Sequence, residues 1–416
     1  MAGDTARAAA EWGGVRAAGQ RASDLELALR AELVARATAL IPMLGANAGA
    51  TDLERRVVEQ NILAMTQAGL FRMMVPRRYG GYQVNMRTFL DVISPIAEGC
   101  GASAWVLSLI NNCAWIVGLM PEQTQDEILG ADPNARVAGV LAPSSDTRRV
   151  EGGVIASGKW FWASGSLHAS WGMLGIIATA PDGRRTDQYL AFVPMSELSI
   201  EYTWNASGMK GTGSNCLVAE DIFIPDHRMI SLADAVEGRT LSPFENEVLY
   251  RSAFIPVMVL SLVAPQLGLL RAALRHTSEL AGERNIPYTT YERQTDSPAF
   301  QLQIAEAAMM IDTAHLHAYR AADDVDATAA RGEYMAYDAR ARVRAEAGYI
   351  AKTTTEALNT LISAHGAGSF ADANPMQRIW RDANTAARHA FVLPPVCEEL
   401  YGKVLLGVRR NITPLI

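Results

Sequence analysis

The sequence predicts an α+β chain in three parts: a helical N-terminal region, a central antiparallel β-sandwich or barrel, and a C-terminal four-helix bundle. Three observations predict it. Capping boxes and long apolar helical runs fill the first third. Short β-branched or aromatic runs, parted by Gly, Pro, Asp and Ser, fill the middle with no helix between them. Runs with apolar residues at alternating steps of four and three fill the rest. At 416 residues the chain is long for a single core. The expected boundaries are a flexible segment at 1–22, then helical, β and bundle regions at 23–132, 133–235 and 236–416.

In order, Ser23-Asp-Leu-Glu26 and Thr51-Asp-Leu-Glu54 each match a capping box, so a helix is expected to begin at both. Gly69 closes the second. A third helix spans about 86–98 and bends at Pro95. Ser103 is placed as the cap of an apolar helix at 104–119, and Pro121 opens a short one. Strands are expected at 136–142, 153–157, 159–163, 172–180, 188–194, 198–204 and 216–225. Ser297-Pro298 supplies an N-cap and first turn for a helix striped by Phe300, Ile304, Ala307 and Ile311. Val343, Ala347, Ile350, Thr354, Ala357 and Leu361 line the next, and 382–400 forms the last long helix.

Composition excludes several classes. Hydrophobic residues make up 49% and charged residues 19%, which suits a soluble globular protein. A net charge of −7, with no basic run among aromatics, argues against nucleic-acid binding. The apolar runs 104–120 and 253–270 are interrupted by Asn111 and Asn112, and by Pro256, Pro265 and Gln266. They read as buried core helices rather than membrane spans. Residues 1–19 lack the apolar core of a signal peptide. Cys100, Cys113, Cys216 and Cys397 have no metal-ligand spacing and suit reduced thiols in a cytoplasmic protein. His315 and His317 stand on different helix faces, so no metal site is expected. Gly208-Met-Lys-Gly-Thr-Gly213 lies between strands and lacks the strand–helix setting of a phosphate-binding loop.

The stretch from Ser157 to Trp171 is the candidate site. Trp160, Phe161 and Trp162 offer flat aromatic surface, and Ser164, Ser166 and His168 follow with short polar groups. A planar ligand with a polar edge, such as a reduced flavin, needs that combination. Taken alone, the stretch suits a core strand with volume-filling tryptophans better than a ligand wall.

Gly158-Lys-Trp-Phe-Trp-Ala-Ser-Gly165, Gly208-Met-Lys-Gly-Thr-Gly-Ser214 with Ile224-Pro225, and His365-Gly366 through Arg378-Ile-Trp-Arg-Asp382 add a second line. With Gly99-Cys-Gly-Ala-Ser-Ala-Trp105, their order and spacing resemble the acyl-CoA dehydrogenase fold. Within it the chain most resembles the two-component flavin-dependent monooxygenases, including hydroxylases of 4-hydroxyphenylacetate and of steroid or polyketide phenols. The likeness runs from about Leu25 onward.

That resemblance implies an enzyme, the oxygenase component of a two-component system. It implies reduced flavin, FMNH2 or FADH2, and O2, with a flavin C4a-hydroperoxide hydroxylating an aromatic or polycyclic small molecule of phenol, indole or polyketide type. A separate NAD(P)H–flavin reductase and a homotetramer are further implications. Ser164 matches the serine that holds the flavin N5 edge, and Trp162 a residue lining the flavin. Trp160, Ala163 and Ser166 belong to the same cofactor-binding stretch. His389 matches a histidine that accepts a substrate proton or orients the distal oxygen. His365 and Gly366 match a loop closing over flavin. Arg284, Arg378 and Arg381 are candidates for the flavin phosphate. Trp105, Asn112, Cys113 and His168 are the candidate substrate pocket, with Cys113 standing where several members carry a histidine.

Rival readings stay open. A FAD-dependent acyl-CoA dehydrogenase needs a carboxylate base, and Tyr401-Gly402 lacks the acid often found between those residues, although Glu398 and Glu399 lie close by. An amino-sugar N-oxygenase of the same fold and a scaffold without flavin are the others.

Overall fold

The computed structural model describes the backbone of residues 2–179, 185–408 and 412–416, and side chains from residue 24 onward except at 178–186 and 409–411. The first helix, α1, is Ala2–Glu54, and it passes through Ser23 without a break. The expected flexible segment 1–22 lies outside the residues whose side chains are described. Thr51-Asp-Leu-Glu54 does not start a helix either; it is the last turn of α1. Thr51 Oγ1 instead accepts from the Val58 N–H at 3.5 Å across the turn that follows. α2 (Glu59–Gln67) ends where Gly69 takes a left-handed φ of 76°.

α3 (Met86–Gly99) is capped by Asn85, whose side chain accepts from the Thr88 N–H. α4 (Gly101–Val117) starts two residues before the expected cap. Ser103 is therefore inside it, buried and accepting from Asn61 Nδ2 at 3.2 Å. α5 is Glu122–Gln125.

Eight strands follow: β1 (Val137–Val140), β2 (Ser145–Val150), β3 (Gly153–Ala163), β4 (Trp171–Thr179), β5 (Arg185–Pro194), β6 (Ser199–Glu201), β7 (Asn215–Pro225) and β8 (Met229–Ser231). They make two four-stranded sheets, β1-β4-β5-β8 and β2-β3-β7-β6, packed as a sandwich. The expected runs 153–157 and 159–163 are one strand interrupted by a bulge. β2, exposed and charged, carried too few apolar residues to be read from sequence. The β1–β4 pair is parallel, because β2 and β3 cross to the other sheet between them. The wholly antiparallel expectation is corrected at that pair.

α6 (Leu232–Val236) leads to α7 (Phe254–Leu280), α8 (Pro298–Ala330) and α9 (Tyr337–His365). Ser297 caps α8 by accepting from the Phe300 N–H, and the α9 seam is buried along its length. The expected last helix at 382–400 is broken into α10 (Pro375–Ala386), a 3₁₀ turn at Ala390–Val392, and α11 (Pro394–Leu405). Pro394-Pro395 forces the break: proline cannot continue a helix, and it disfavours helical backbone in the residue before it.

α7 is long and apolar enough to cross a membrane, but 89% of its most apolar window is buried in the fold. α3, α4, α8 and α9 cover it. One continuous apolar core joins the N-terminal helices to the C-terminal ones, while the sandwich keeps its own. α4 and the 208–213 loop meet α10, and the turn after β3 is tied to that loop.

Candidate active site at the sheet–helix junction

Strand alternation sends Trp160 inward and Phe161 outward. Trp160 is 0% exposed in the sandwich core, its indole N–H donating to the Gly175 carbonyl at 2.7 Å. It cannot form part of a ligand wall, so its assignment as a cofactor contact is corrected. Between Trp160 and Ala163 the register against β7 slips by one residue. That bulge holds Trp162 at φ 71° and leaves it 70% exposed. A bulky residue in left-handed backbone is strained. Here the strain turns an indole face out of the sheet, two residues before Ser164.

Ala163 and Ser166 are buried backbone-side neighbours of the turn. Gly165, at φ 77°, donates its N–H to the Thr212 carbonyl at 2.9 Å, which ties the turn to the 208–213 loop.

Ser164 is nearly buried, and Trp105 of α4 donates its indole N–H to Ser164 Oγ at 3.2 Å. On the other side Ser164 Oγ lies 2.7 Å from Ser214 Oγ, which lies 2.6 Å from Thr212 Oγ1. The Trp105 ring centroid is 6.1 Å from that of His389. Ser164, Trp105 and His389 are therefore joined through one indole.

His389 is not on a long helix. It caps the 3₁₀ turn between α10 and α11, its Nδ1 accepting from the Phe391 N–H at 3.3 Å. Burial among Trp105 and Phe391 holds its pKa down to about 4. The ring is neutral near pH 7, and with Nδ1 accepting, its proton sits on Nε2.

Of the expected substrate pocket, Asn112 lies on the Trp105 face of α4, two turns on. Its Oδ1 is buried and without a partner. Cys113 packs toward β1, where a Cβ on Gly139 would meet its sulfur at 2.7 Å. Burial pushes its thiol up to about 12, so it is no proton donor or acceptor at neutral pH. His168 turns the other way, toward α2, with Nδ1 3.8 Å from Glu59. Burial and the nearby Arg56 and Arg136 hold it down to about 4.

Of the remaining cofactor candidates, Arg284, His365 and Gly366 gather in a second cluster where α7 and α9 end. Arg284 Nη1 donates to His365 at 2.7 Å, and His276 stacks on His365 with centroids 5.7 Å apart. Asn374 donates to His365 Nε2 at 3.3 Å, and His276 Nε2 is buried without a partner. Burial, with Arg284 and His276, holds His365 down to about 4, leaving Arg284 as the cluster's charge. Gly366, at φ 84°, faces open space. Arg378 lies on α10, one turn before Asp382. Arg381 is committed to structure, pairing with Asp52 at 3.1 Å and donating to the Ser207 carbonyl.

Sequence reasoning missed Thr212, Ser214 and Asp382. Asp382 is buried and accepts from the Met209 N–H at 2.5 Å, pinning the 208–213 loop to α10. For Thr212 and Ser214 the available signal was two hydroxyls two residues apart, each following a glycine in Gly211-Thr-Gly-Ser214. A surface hollow of about 350 Å³ lined by Leu25, Glu26, Leu29, Arg77, Gly81 and Tyr82 contains none of the sequence-predicted site residues.

Comparison with known proteins fits this geometry. The family described as "Acyl-CoA dehydrogenase, C-terminal domain" matches residues 260–394. The chain is 31% identical over 375 residues to the flavin-dependent monooxygenase oxygenase subunit HsaA of Rhodococcus jostii, covering 90% of this chain and 98% of that one. It is 28% identical over 376 residues to the p-hydroxyphenylacetate 3-hydroxylase oxygenase component of Acinetobacter baumannii, covering 90% and 89%. Among solved structures, XiaF from Streptomyces sp. in complex with FADH2 and glycerol superimposes with a TM-score of 0.90 at 33% identity, covering 95% and 99%.

Proposed function

Because the chain belongs to the flavin-dependent monooxygenases that act as oxygenase components, with an acyl-CoA dehydrogenase-like fold, we propose that it hydroxylates an aromatic or polycyclic small molecule beside Ser164. The substrate is of phenol, indole or polyketide type. The cofactor is reduced flavin, FMNH2 or FADH2, used with O2. A separate NAD(P)H–flavin reductase delivers it, and the oxygenase works as a homotetramer in the cytoplasm.

The single observation that carries this reading is Trp162, held in left-handed backbone with its indole exposed two residues from Ser164. The residues fit the group: an open aromatic face for a planar ring, a hydroxyl for its edge, and an orphaned Asn112 Oδ1 beyond Trp105. Flavin, when bound, supplies the oxygen-activating chemistry. Trp162 and Ser164 would hold its ring, while Arg284, with His365 and Gly366, would grip its phosphate and Arg378 would lend a second charge. Trp105 and Phe391 keep water from the polar groups. His389, neutral, would offer Nε2–H to the reacting oxygen.

The dehydrogenase alternative is disfavoured by its missing base. Glu398 and Glu399 are exposed on α11, and Asp382 is occupied by the Met209 N–H. The test is rapid mixing of protein and anaerobically reduced FMN or FAD with oxygenated buffer. A transient absorbance outliving free-flavin reoxidation, followed by hydroxylated product when a phenol or indole is added, is the expected result. Reoxidation at the free-flavin rate would overturn the proposal.

A further inference from the structure

The hydroxyls behind Ser164 have one proton arrangement. At one end the Trp105 indole N–H can only donate; at the other the Met209 carbonyl can only accept. Thr212 Oγ1 lies 2.8 Å from that carbonyl, so its single hydrogen goes there. Thr212 must then accept from Ser214, at 2.6 Å, and Ser214 must accept from Ser164, at 2.7 Å. Ser164 in turn accepts from Trp105.

The acceptor end is fixed firmly. The Met209 carbonyl also receives the Trp204 indole N–H at 2.9 Å and the Thr212 N–H at 3.1 Å. The Met209 N–H is held by buried Asp382. Thr212, Ser214 and Ser164 are 2%, 3% and 6% exposed, so bulk water does not compete for these bonds. Ser164 has committed its proton, and what it can offer a ligand is a lone pair.

We infer that Thr212 and Ser214 are positioning residues that hold the Ser164 hydroxyl as an acceptor, and so select a ring edge bearing an N–H. Reduced flavin carries a hydrogen on N5; oxidised flavin presents a bare nitrogen there. The chain thus discriminates by redox state through two residues that need not touch the cofactor. The inference rests on the reading above that the flavin edge meets Ser164.

Equilibrium binding of oxidised and anaerobically reduced FMN and FAD tests it in wild type, Thr212→Val, Thr212→Ser and Ser214→Ala. Wild type is expected to hold reduced flavin the tighter. Thr212→Val keeps the side-chain volume but frees Ser214 to donate to Ser164, and Ser164 to donate outward. The preference should shrink about three- to tenfold, the worth of one hydrogen bond, mainly through tighter oxidised-flavin binding. Ser214→Ala should act alike, and Thr212→Ser should keep the wild-type ratio. Folded Thr212→Val and Ser214→Ala proteins with an unchanged ratio, or with both flavins weakened equally, would overturn the inference. Wild type that binds both redox states equally would overturn it while leaving the flavin site standing. Wild type that binds neither would remove the proposed function itself.

Discussion

At the residue scale the proposed site turns on His389. Its Nδ1 is used by the Phe391 N–H and burial holds it neutral, so the position favours hydrogen-bond donation from Nε2 over proton abstraction. The two roles differ in size. Loss of a general base costs roughly 10²–10⁴-fold in rate, and loss of one neutral hydrogen bond costs about three- to tenfold. His389→Ala is expected to slow product formation by the smaller amount and to leave the oxygen-dependent transient's lifetime intact. His389→Gln, which keeps an N–H donor, should recover part of the rate. The wild-type rate should show no inflection near pH 6.5 from this residue. A loss of a hundredfold or more, measured by single-turnover product analysis, would restore the base. The turn at Ser164 was legible, because Gly and Ser follow an aromatic strand there, whereas a role for its hydroxyl came only from the family resemblance. Trp160 was misplaced because strand alternation depends on a bulge that the sequence does not announce.

At the element scale the site depends on how the 208–213 loop is seated. A Cβ on Gly208 would lie 2.0 Å from the Arg381 carbonyl, so the loop packs directly on the α10 backbone. Asp382 completes that contact. Removing its acceptor leaves the Met209 N–H buried and unpaired, at about 1–3 kcal/mol. Asp382→Ala should therefore lower stability in urea titration by about that amount and weaken flavin binding. Asp382→Asn retains an acceptor oxygen and removes a carboxyl that burial already pushes up to about 6. It should remain near wild type; equal damage from both variants would show that the charge is what counts. The buried faces of α8 and α9 were plain from their periodicity. The break before α11 was signalled by Pro394-Pro395, yet the apolar spacing on either side outweighed it. Thr212 and Ser214 were hidden for another reason: their role exists only once β3, β7 and α4 converge, and no local pattern encodes that meeting.

For the whole molecule, two consequences follow from burial. His168, 8% exposed, and His365, 3% exposed, both titrate at about 4 instead of the usual 6.5. Unfolding lets each take up a proton at mildly acidic pH, so the stability they allow is full above 6.5 and lost as pH falls toward 4. Each contributes a slope of up to about 1.4 kcal/mol per pH unit in that window. The urea midpoint should fall from pH 7 to pH 5, and His168→Gln should flatten the fall; an unchanged slope would show that His168 does not carry it. The second consequence concerns assembly. α7, the most apolar of the long helices, is enclosed by its own chain and offers no face to a neighbour. The exposed apolar stripe lies on α8 instead: Leu302, Met309 and Leu316 are 71%, 66% and 68% exposed at intervals of seven. That spacing keeps them on one face over roughly 21 Å of helix, the pattern of a helix–helix seam. A second copy of this chain is the occupant proposed for it. Leu302→Glu, Met309→Glu and Leu316→Glu combined should lower the mass measured by light scattering while the helical circular dichroism is retained. Flavin affinity should fall with it if a neighbour completes the Arg284 cluster. An unchanged mass would mean that the seam is not where subunits meet.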